Sequence, residues 1–214
     1  MSPEPPGTEG YERDTKRFIA ASQSLSFEHV CGDLLSFLPQ PPASVMDLGA
    51  GAGQNAAALA RLGYSVTAVE PVSAFLEAGR TRYRELPITW IQGALPDLAA
   101  LGSRTEQADF VLIEAMWHHL CVSERDSALS RVASLLAPGG ACAISLRNGP
   151  AGLGTRVYPT SVEETLQQAQ QKGLQCIFQK QHLPSILPNK PEVFWARIVL
   201  KKCQRSAEEA LKKC

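Results

Sequence analysis

Val45-Met-Asp-Leu-Gly-Ala-Gly-Ala-Gly-Gln-Asn55 decides the fold. The apolar run that opens it, Ser44–Leu48, reads as a buried strand and breaks into glycines at 49, 51 and 53. An alanine-rich segment, 55–62, then reads as a helix that stops at Gly63. Strand, glycine turn and helix open a nucleotide-binding βαβ unit. The glycines let the backbone approach a ligand where a Cβ would clash, and the helix start offers unpaired N–H groups. The next strand, 65–69, ends in Glu70, which places a carboxylate beside the turn, where it can accept hydrogen bonds from both hydroxyls of a ribose.

The nucleoside follows from two details. The dinucleotide fingerprint needs a glycine three residues after Gly51, and that residue is Gln54. Asp47 is expected at the mouth of the turn, where a carboxylate repels a pyrophosphate and attracts an ammonium or sulfonium. A cationic nucleoside without phosphates, S-adenosylmethionine, fits both.

Asp47-Leu-Gly-Ala-Gly-Ala-Gly53 followed by Val69-Glu70-Pro71 resembles the class I S-adenosylmethionine-dependent methyltransferases, of the bacterial small-molecule type. The likeness runs from about residue 11 to about residue 200 and is most specific over 45–71, 109–121 and 132–150. It implies an α/β fold: a Rossmann-like, seven-stranded, mostly parallel sheet with a C-terminal antiparallel hairpin, helices on both faces and an N-terminal helical lid. It also implies cofactor contacts from Asp47, Gly49, Ala50, Gly51, Gly53, Glu70 and Pro71. Gln92-Gly93-Ala94-Leu95 matches the family's adenine-holding turn, with Gln92 where an acid is usual. An N-terminal segment folded over the cofactor would bring Tyr11 and Phe18 to the site; otherwise they pack on the sheet.

Length and composition agree with one domain. The chain has 214 residues, 44% apolar and 20% charged, enough to bury a full sheet core. Lys+Arg equals Asp+Glu, so a basic footprint for nucleic acid is missing. No apolar run reaches a membrane span, and the first residues lack a signal peptide's pattern. The six cysteines are scattered, none at metal-ligand spacing, which predicts a reduced, cytoplasmic protein without disulfides or structural metal. Residues 1–10 read as a disordered tail, 11–42 as the helical lid within a domain spanning 11–203, and 204–214 as a C-terminal tail.

Further along, 88–91, 108–113 and 141–146 read as strands, and 174–182 with 193–201 as the antiparallel pair. Ser73, Ser123 and the Ser161-x-x-Glu164 box read as helix caps, Asp97 as the cap of a short helix over 97–101, and Pro138-Gly139-Gly140 as a helix stop. The strand 108–113 runs into Glu114-Ala-Met-Trp-His-His-Leu120, which lies at the ligand edge of such a sheet and resembles the family's fourth motif, where methyl meets acceptor. His118 and His119 are the candidate bases, with at most one facing the substrate. Glu114 would orient the methionine ammonium or a cationic acceptor. Trp117 either stacks on the acceptor or is a core aromatic. Arg147 pairs with an acidic group of the substrate or with Glu114 or Asp47. The loop 149–159, with Gly152, Gly154 and Arg156, is placed to close over substrate. Three function classes emerge: a small-molecule methyltransferase, which the sequence favours, acting as monomer or homodimer; a protein methyltransferase; and a cofactor-binding module without turnover. Base methylation of nucleic acid is disfavoured because Glu114-Ala-Met-Trp117 stands where those enzymes carry Asn/Asp-Pro-Pro-Tyr/Phe.

Overall fold

A computed structural model describes residues 5, 7–187 and 189–203. Its seven strands are β1 (Ser44–Leu48), β2 (Ser65–Glu70), β3 (Ile88–Gln92), β4 (Ala108–Ile113), β5 (Leu136–Asn148), β6 (Leu174–Pro184) and β7 (Phe194–Lys202). They form one sheet in the order β3-β2-β1-β4-β5-β7-β6. The first five strands pair in parallel, while β7 runs antiparallel to both β5 and β6. The expected Rossmann-like sheet with its terminal hairpin is therefore present. Strand order reverses between β1 and β4, and the crevice at such a point opens at the carboxyl ends of the strands.

Two apolar layers cover the sheet, because alternate residues of each strand face opposite sides. Met46, Leu48, Val111 and Ile113 point into one layer; Val45, Val66, Phe110 and Leu112 point into the other. The α-helices among the described residues are α1 (Thr15–Gln23), α2 (Phe27–Cys31), α3 (Gln54–Arg61), α4 (Ser73–Arg82), α5 (Val122–Leu135) and α6 (Val162–Gln171). None is long and apolar enough to cross a membrane among the described residues. Ala56, Ala57 and Leu59 bury the inner face of α3, and small side chains there let it lie close to β1.

Several local expectations change. Ser73 is the first helical residue of α4, not its cap, and Val72 stands in the cap position. The cap of α5 is Cys121 rather than Ser123: Cys121 N–H donates to Glu124 Oε2 at 2.7 Å, which moves the helix start back to Val122. The Ser161 box is half made, with Ser161 Oγ accepting from Glu164 N at 3.2 Å while the Glu164 carboxylate turns 3.6 Å from Arg125. Asp97 does hold the short turn, Oδ1 accepting from Ala99 N at 3.2 Å. Pro138-Gly139-Gly140 does not stop a helix from outside; α5 ends at Leu135 and the chain passes straight into β5. The register shift between Ala108 and Phe110 absorbs those residues, and a Cβ on Gly140 would stand 3.0 Å from the carbonyls of Ala108 and Ala137.

Residues 7–10, expected within the tail, are docked. Thr8 is buried, Glu9 O accepts from Thr155 N at 2.9 Å, and a Cβ on Gly7 would come 2.8 Å from that of His119. The C-terminal segment 204–214 lies outside the described residues.

Candidate active site

A cavity of about 670 Å³ opens at the carboxyl edge of β1, β2 and β4. Its floor is the glycine turn. Gly49 and Ala50 both donate their N–H to Val69 O, at 2.8 and 3.0 Å, which folds the turn onto the end of β2. Gly49, Ala50, Gly51, Glu70, Pro71, Gly93, Ala94, Leu95 and Glu114 all line the wall. Glu70 is clamped: Oε2 accepts from Gly51 N at 2.8 Å and Oε1 from Val72 N at 2.9 Å. Burial pushes its carboxyl up to about 7, against the pull of those two N–H groups.

Some side chains expected at this wall lie elsewhere. Asp47 is off the wall. It shares the face of Val45, is 1% exposed, and accepts from the backbone N–H of Ala56 in α3. Burial first, and then Glu114 and Glu70, raise its carboxyl to about 7. Gly53, at φ +81°, is a packing glycine, since a Cβ there would stand 2.2 Å from the Trp90 ring. Gln92 is exposed, turns its amide away and donates from Nε2 to Pro71 O at 3.2 Å, so the turn after β3 meets the cavity through residues 93–95 instead. Trp117 is a core aromatic, fully buried among the Met46 and Leu48 layer, and does not line the cavity.

The roof comes from the N-terminal segment. Tyr11 and Phe18 both reach the wall. Phe18 stacks on Phe75 of α4 with ring centroids 4.4 Å apart, and Tyr11 packs edge-on against both. The Tyr11 hydroxyl meets His119 Nε2 at 2.9 Å. His119 Nδ1 lies 2.6 Å from Arg156 O, which can only accept, so Nδ1 carries the proton and Nε2 accepts from Tyr11. Arg156 completes the clasp: Nη1 donates to His119 O at 2.7 Å and Nη2 to Glu124 at 2.9 Å. The Tyr11–His119 bond spans 108 residues and bears no local sequence signal.

His118 lies beside His119 with ring centroids 4.1 Å apart and also lines the cavity. Its Nδ1 is buried without a partner. Burial and then the charges of His119, Arg147, Arg125 and Lys190 hold its pKa well below the usual value, so it stays neutral. Burial likewise lowers His119 and raises Tyr11, keeping the pair uncharged near pH 7. The Trp117–His119 turn is set by Ala115, whose φ of +58° is rare for alanine and whose N–H donates to Ser145 Oγ at 2.7 Å. Glu114 pairs with Arg197 at 3.7 Å, and burial still raises its carboxyl to about 7. Arg147 pairs with neither Glu114 nor Asp47; it donates to the carbonyls of Gly149 and Pro150 at 3.4 and 2.6 Å.

The wall suits a cationic nucleoside. It offers bare glycine backbone, the two-oxygen acceptor of Glu70, aromatic rings, and buried acceptors without partners on Gln54 and Asn55. No group of His, Cys, Asp and Glu fit to hold a metal occurs among the described residues.

Residues 46–144 match the family described as methyltransferase domain. An uncharacterized methyltransferase of Mycobacterium tuberculosis is 34% identical over 120 residues, covering 53% of this chain and 58% of that protein. The chain thus spans between 39% and 58% of the length of the curated relatives it matches. Among solved structures, a SAM-dependent methyltransferase from Methanosarcina mazei superposes with a TM-score of 0.69 at 14% identity, covering 81% of this chain and 98% of its own. A phosphoethanolamine N-methyltransferase 2 of Haemonchus contortus in complex with S-adenosyl-L-methionine gives 0.74 at 17% identity, covering 92% and 59%.

Proposed function

We propose, from the premise that residues 46–144 are a class I S-adenosylmethionine-dependent methyltransferase domain, that the chain transfers a methyl group to a small-molecule acceptor. The observation that carries this reading is the Glu70 carboxylate fixed on Gly51 and Val72 inside the cavity, with two lone pairs left for a ribose diol. Residues 49–51 would lie under the amino-acid arm, residues 93–95 beside the adenine, and the stacked rings of Phe18 and Phe75 over the nucleoside.

S-adenosylmethionine supplies an electrophilic methyl on a sulfonium. The chain's residues hold the acceptor in line, exclude water and take up a proton where the acceptor must lose one. The Tyr11–His119 pair is built for the last task. Tyr11 oxygen receives the acceptor's proton as its own passes to His119 Nε2, and the resulting imidazolium is stabilised by the Arg156 carbonyl at Nδ1. Roofing by Tyr11 and Phe18 keeps water from the reacting atoms. A cavity of about 670 Å³ under the Tyr11 and Phe18 roof fits a small acceptor better than a protein chain, which would need a long open groove.

The test is paired. Titration calorimetry with S-adenosylhomocysteine and with a nicotinamide dinucleotide should show binding of the first alone. Incubation with methyl-labelled cofactor and a metabolite extract should then label a small molecule. Binding of the dinucleotide in place of the thioether would sink the reading.

A further inference from the structure

Two arginines are buried among the described residues, Arg125 and Arg147, and only the first has a carboxylate partner; the half-buried Arg156 and Arg197 are paired as well. Arg125 lies 3.6 Å from Glu164, Arg156 2.9 Å from Glu124, and Arg197 pairs with Asp33 and Glu114. Arg147 is 7% exposed, yet its guanidinium has only the carbonyls of Gly149 and Pro150 and no carboxylate among the described residues. A buried charge without a countercharge is unfavourable, so a missing partner at a cavity wall points to a ligand.

A second cation converges on the same place. Lys190, in the connection between β6 and β7, is half-buried and lines the cavity with Arg147. A Cβ on Gly152 would stand 3.8 Å from Lys190 Nζ, so the ammonium lies against the loop whose residue 150 receives Arg147. No carboxylate pairs with Lys190 among the described residues. Burial first, then the charges of Arg147 and Arg17, depress its pKa, which reflects how near the cations lie to one another. His118, with its buried and unpartnered Nδ1, faces the same two charges. The acids of the cavity are already engaged, Glu70 on the glycine turn and Glu114 with Arg197, which leaves Arg147 and Lys190 as lining cations without a carboxylate among the described residues.

We propose that Arg147 and Lys190 form an anion subsite that anchors a phosphate or carboxylate group of the methyl acceptor, with His118 Nδ1 as a further hydrogen-bonding partner. The subsite rests on the reading of this cavity as a methyl-transfer site, and it narrows the acceptor to a small anionic or zwitterionic molecule. The anion sits at one end and the methyl-receiving atom at the Tyr11–His119 end. Arg147 and Lys190 thus select and position the acceptor.

The experiment is calorimetric titration of inorganic phosphate, and separately of acetate, into the full chain saturated with S-adenosylhomocysteine. Saturation with the thioether fills the cofactor's own carboxylate position, so only a separate subsite remains. Saturable binding is expected, weakened at least about tenfold in Arg147→Gln and in Lys190→Gln, with affinity for S-adenosylhomocysteine changed less than about twofold. Tighter phosphate assigns a phosphoryl acceptor; tighter acetate assigns a carboxylate. Absence of saturable binding by both anions, binding indifferent to Lys190→Gln, or expulsion of phosphate from the free protein by S-adenosylhomocysteine would overturn the subsite. Lys190→Gln decides the matter if Arg147→Gln fails to fold, because Lys190 lies in a loop. Failure of S-adenosylhomocysteine itself to bind would instead remove the methyltransferase reading, and phosphate titration of the free protein and of Lys190→Gln would still test the subsite.

Discussion

Replacing Glu70 by Gln probes the cofactor site at its most constrained atom pair. Both carboxylate oxygens accept from backbone N–H groups, Gly51 at 2.8 Å and Val72 at 2.9 Å, and the side chain is 5% exposed. The amide of Gln keeps the shape but turns one oxygen into a donor. Whichever way it is flipped, an N–H group then faces a backbone N–H, and one fewer acceptor remains for the ribose. Losing a hydrogen bond to a charged group is worth about 1.5–3 kcal/mol, which corresponds to a roughly 10- to 150-fold weaker dissociation constant. Calorimetry with S-adenosylhomocysteine at pH 8 reads this directly, because the wild-type carboxyl, raised to about 7, is then ionised. At pH 6 wild type is itself mostly protonated, so the gap between the two proteins should narrow. Thermal unfolding controls for damage to the turn. A folded Glu70→Gln protein with affinity within about twofold of wild type at pH 8 would show that Glu70 only braces the turn and leaves the nucleoside to other groups.

Three further outcomes are expected. Tyr11→Phe should lower kcat by about a hundredfold on a proton-bearing acceptor while cofactor affinity holds, and His119→Ala should do the same; wild-type turnover in both would remove the relay. Asp47→Asn should gain stability over wild type as pH rises from 5 to 8. The folded carboxyl holds its proton to about 7 while the unfolded one releases it near its ordinary value, so ionisation erodes only the wild type, by about 3 kcal/mol across that window. Urea unfolding at both pH values measures the difference, and a pH-independent gap contradicts it. Gly53→Ala should destabilise by about 1–3 kcal/mol through its clash with Trp90, and by less in a Trp90→Ala background. An equal loss in both backgrounds leaves only the backbone angle as cause.

The strands and the glycine turn are legible in the sequence because each is a local pattern: an apolar run, a glycine cluster, an alanine helix. Glu70 is legible for the same reason, since the last residue of a parallel strand must lie at the ligand edge. Asp47 departs from its expected place because proximity in sequence does not fix the face of the sheet, and it shares the side of Val45 and α3. Trp117 and His118 are neighbours, yet the turn after the left-handed Ala115 sends one into the core and the other to the cavity. Cys121 takes the cap from Ser123 because the Glu124 carboxylate reaches the Cys121 N–H, a choice decided by side-chain geometry. The Tyr11–His119 bond, the Arg156 clasp and the lone Arg147 guanidinium arise between distant segments. Only the folded chain brings them together.

The docking of residues 7–10 onto the loop 149–159 bears on kinetics. Thr155 donates to Glu9 O through both its N–H, at 2.9 Å, and its hydroxyl, at 3.2 Å, and Arg156 lies 3.7 Å from the Glu9 carboxylate. These few contacts fasten residues 7–10 to the loop 149–159 beside the cavity, and we predict that a bound molecule leaves by parting that seam. Residence time would then follow the opening rate of the seam and not the strength of the ligand's own contacts. Stopped-flow release of S-adenosylhomocysteine should quicken in the double variant Glu9→Ala/Thr155→Val, which removes the ion pair and the hydroxyl contact, with little change in equilibrium affinity, and an unchanged off-rate would mean that molecules come and go by another door.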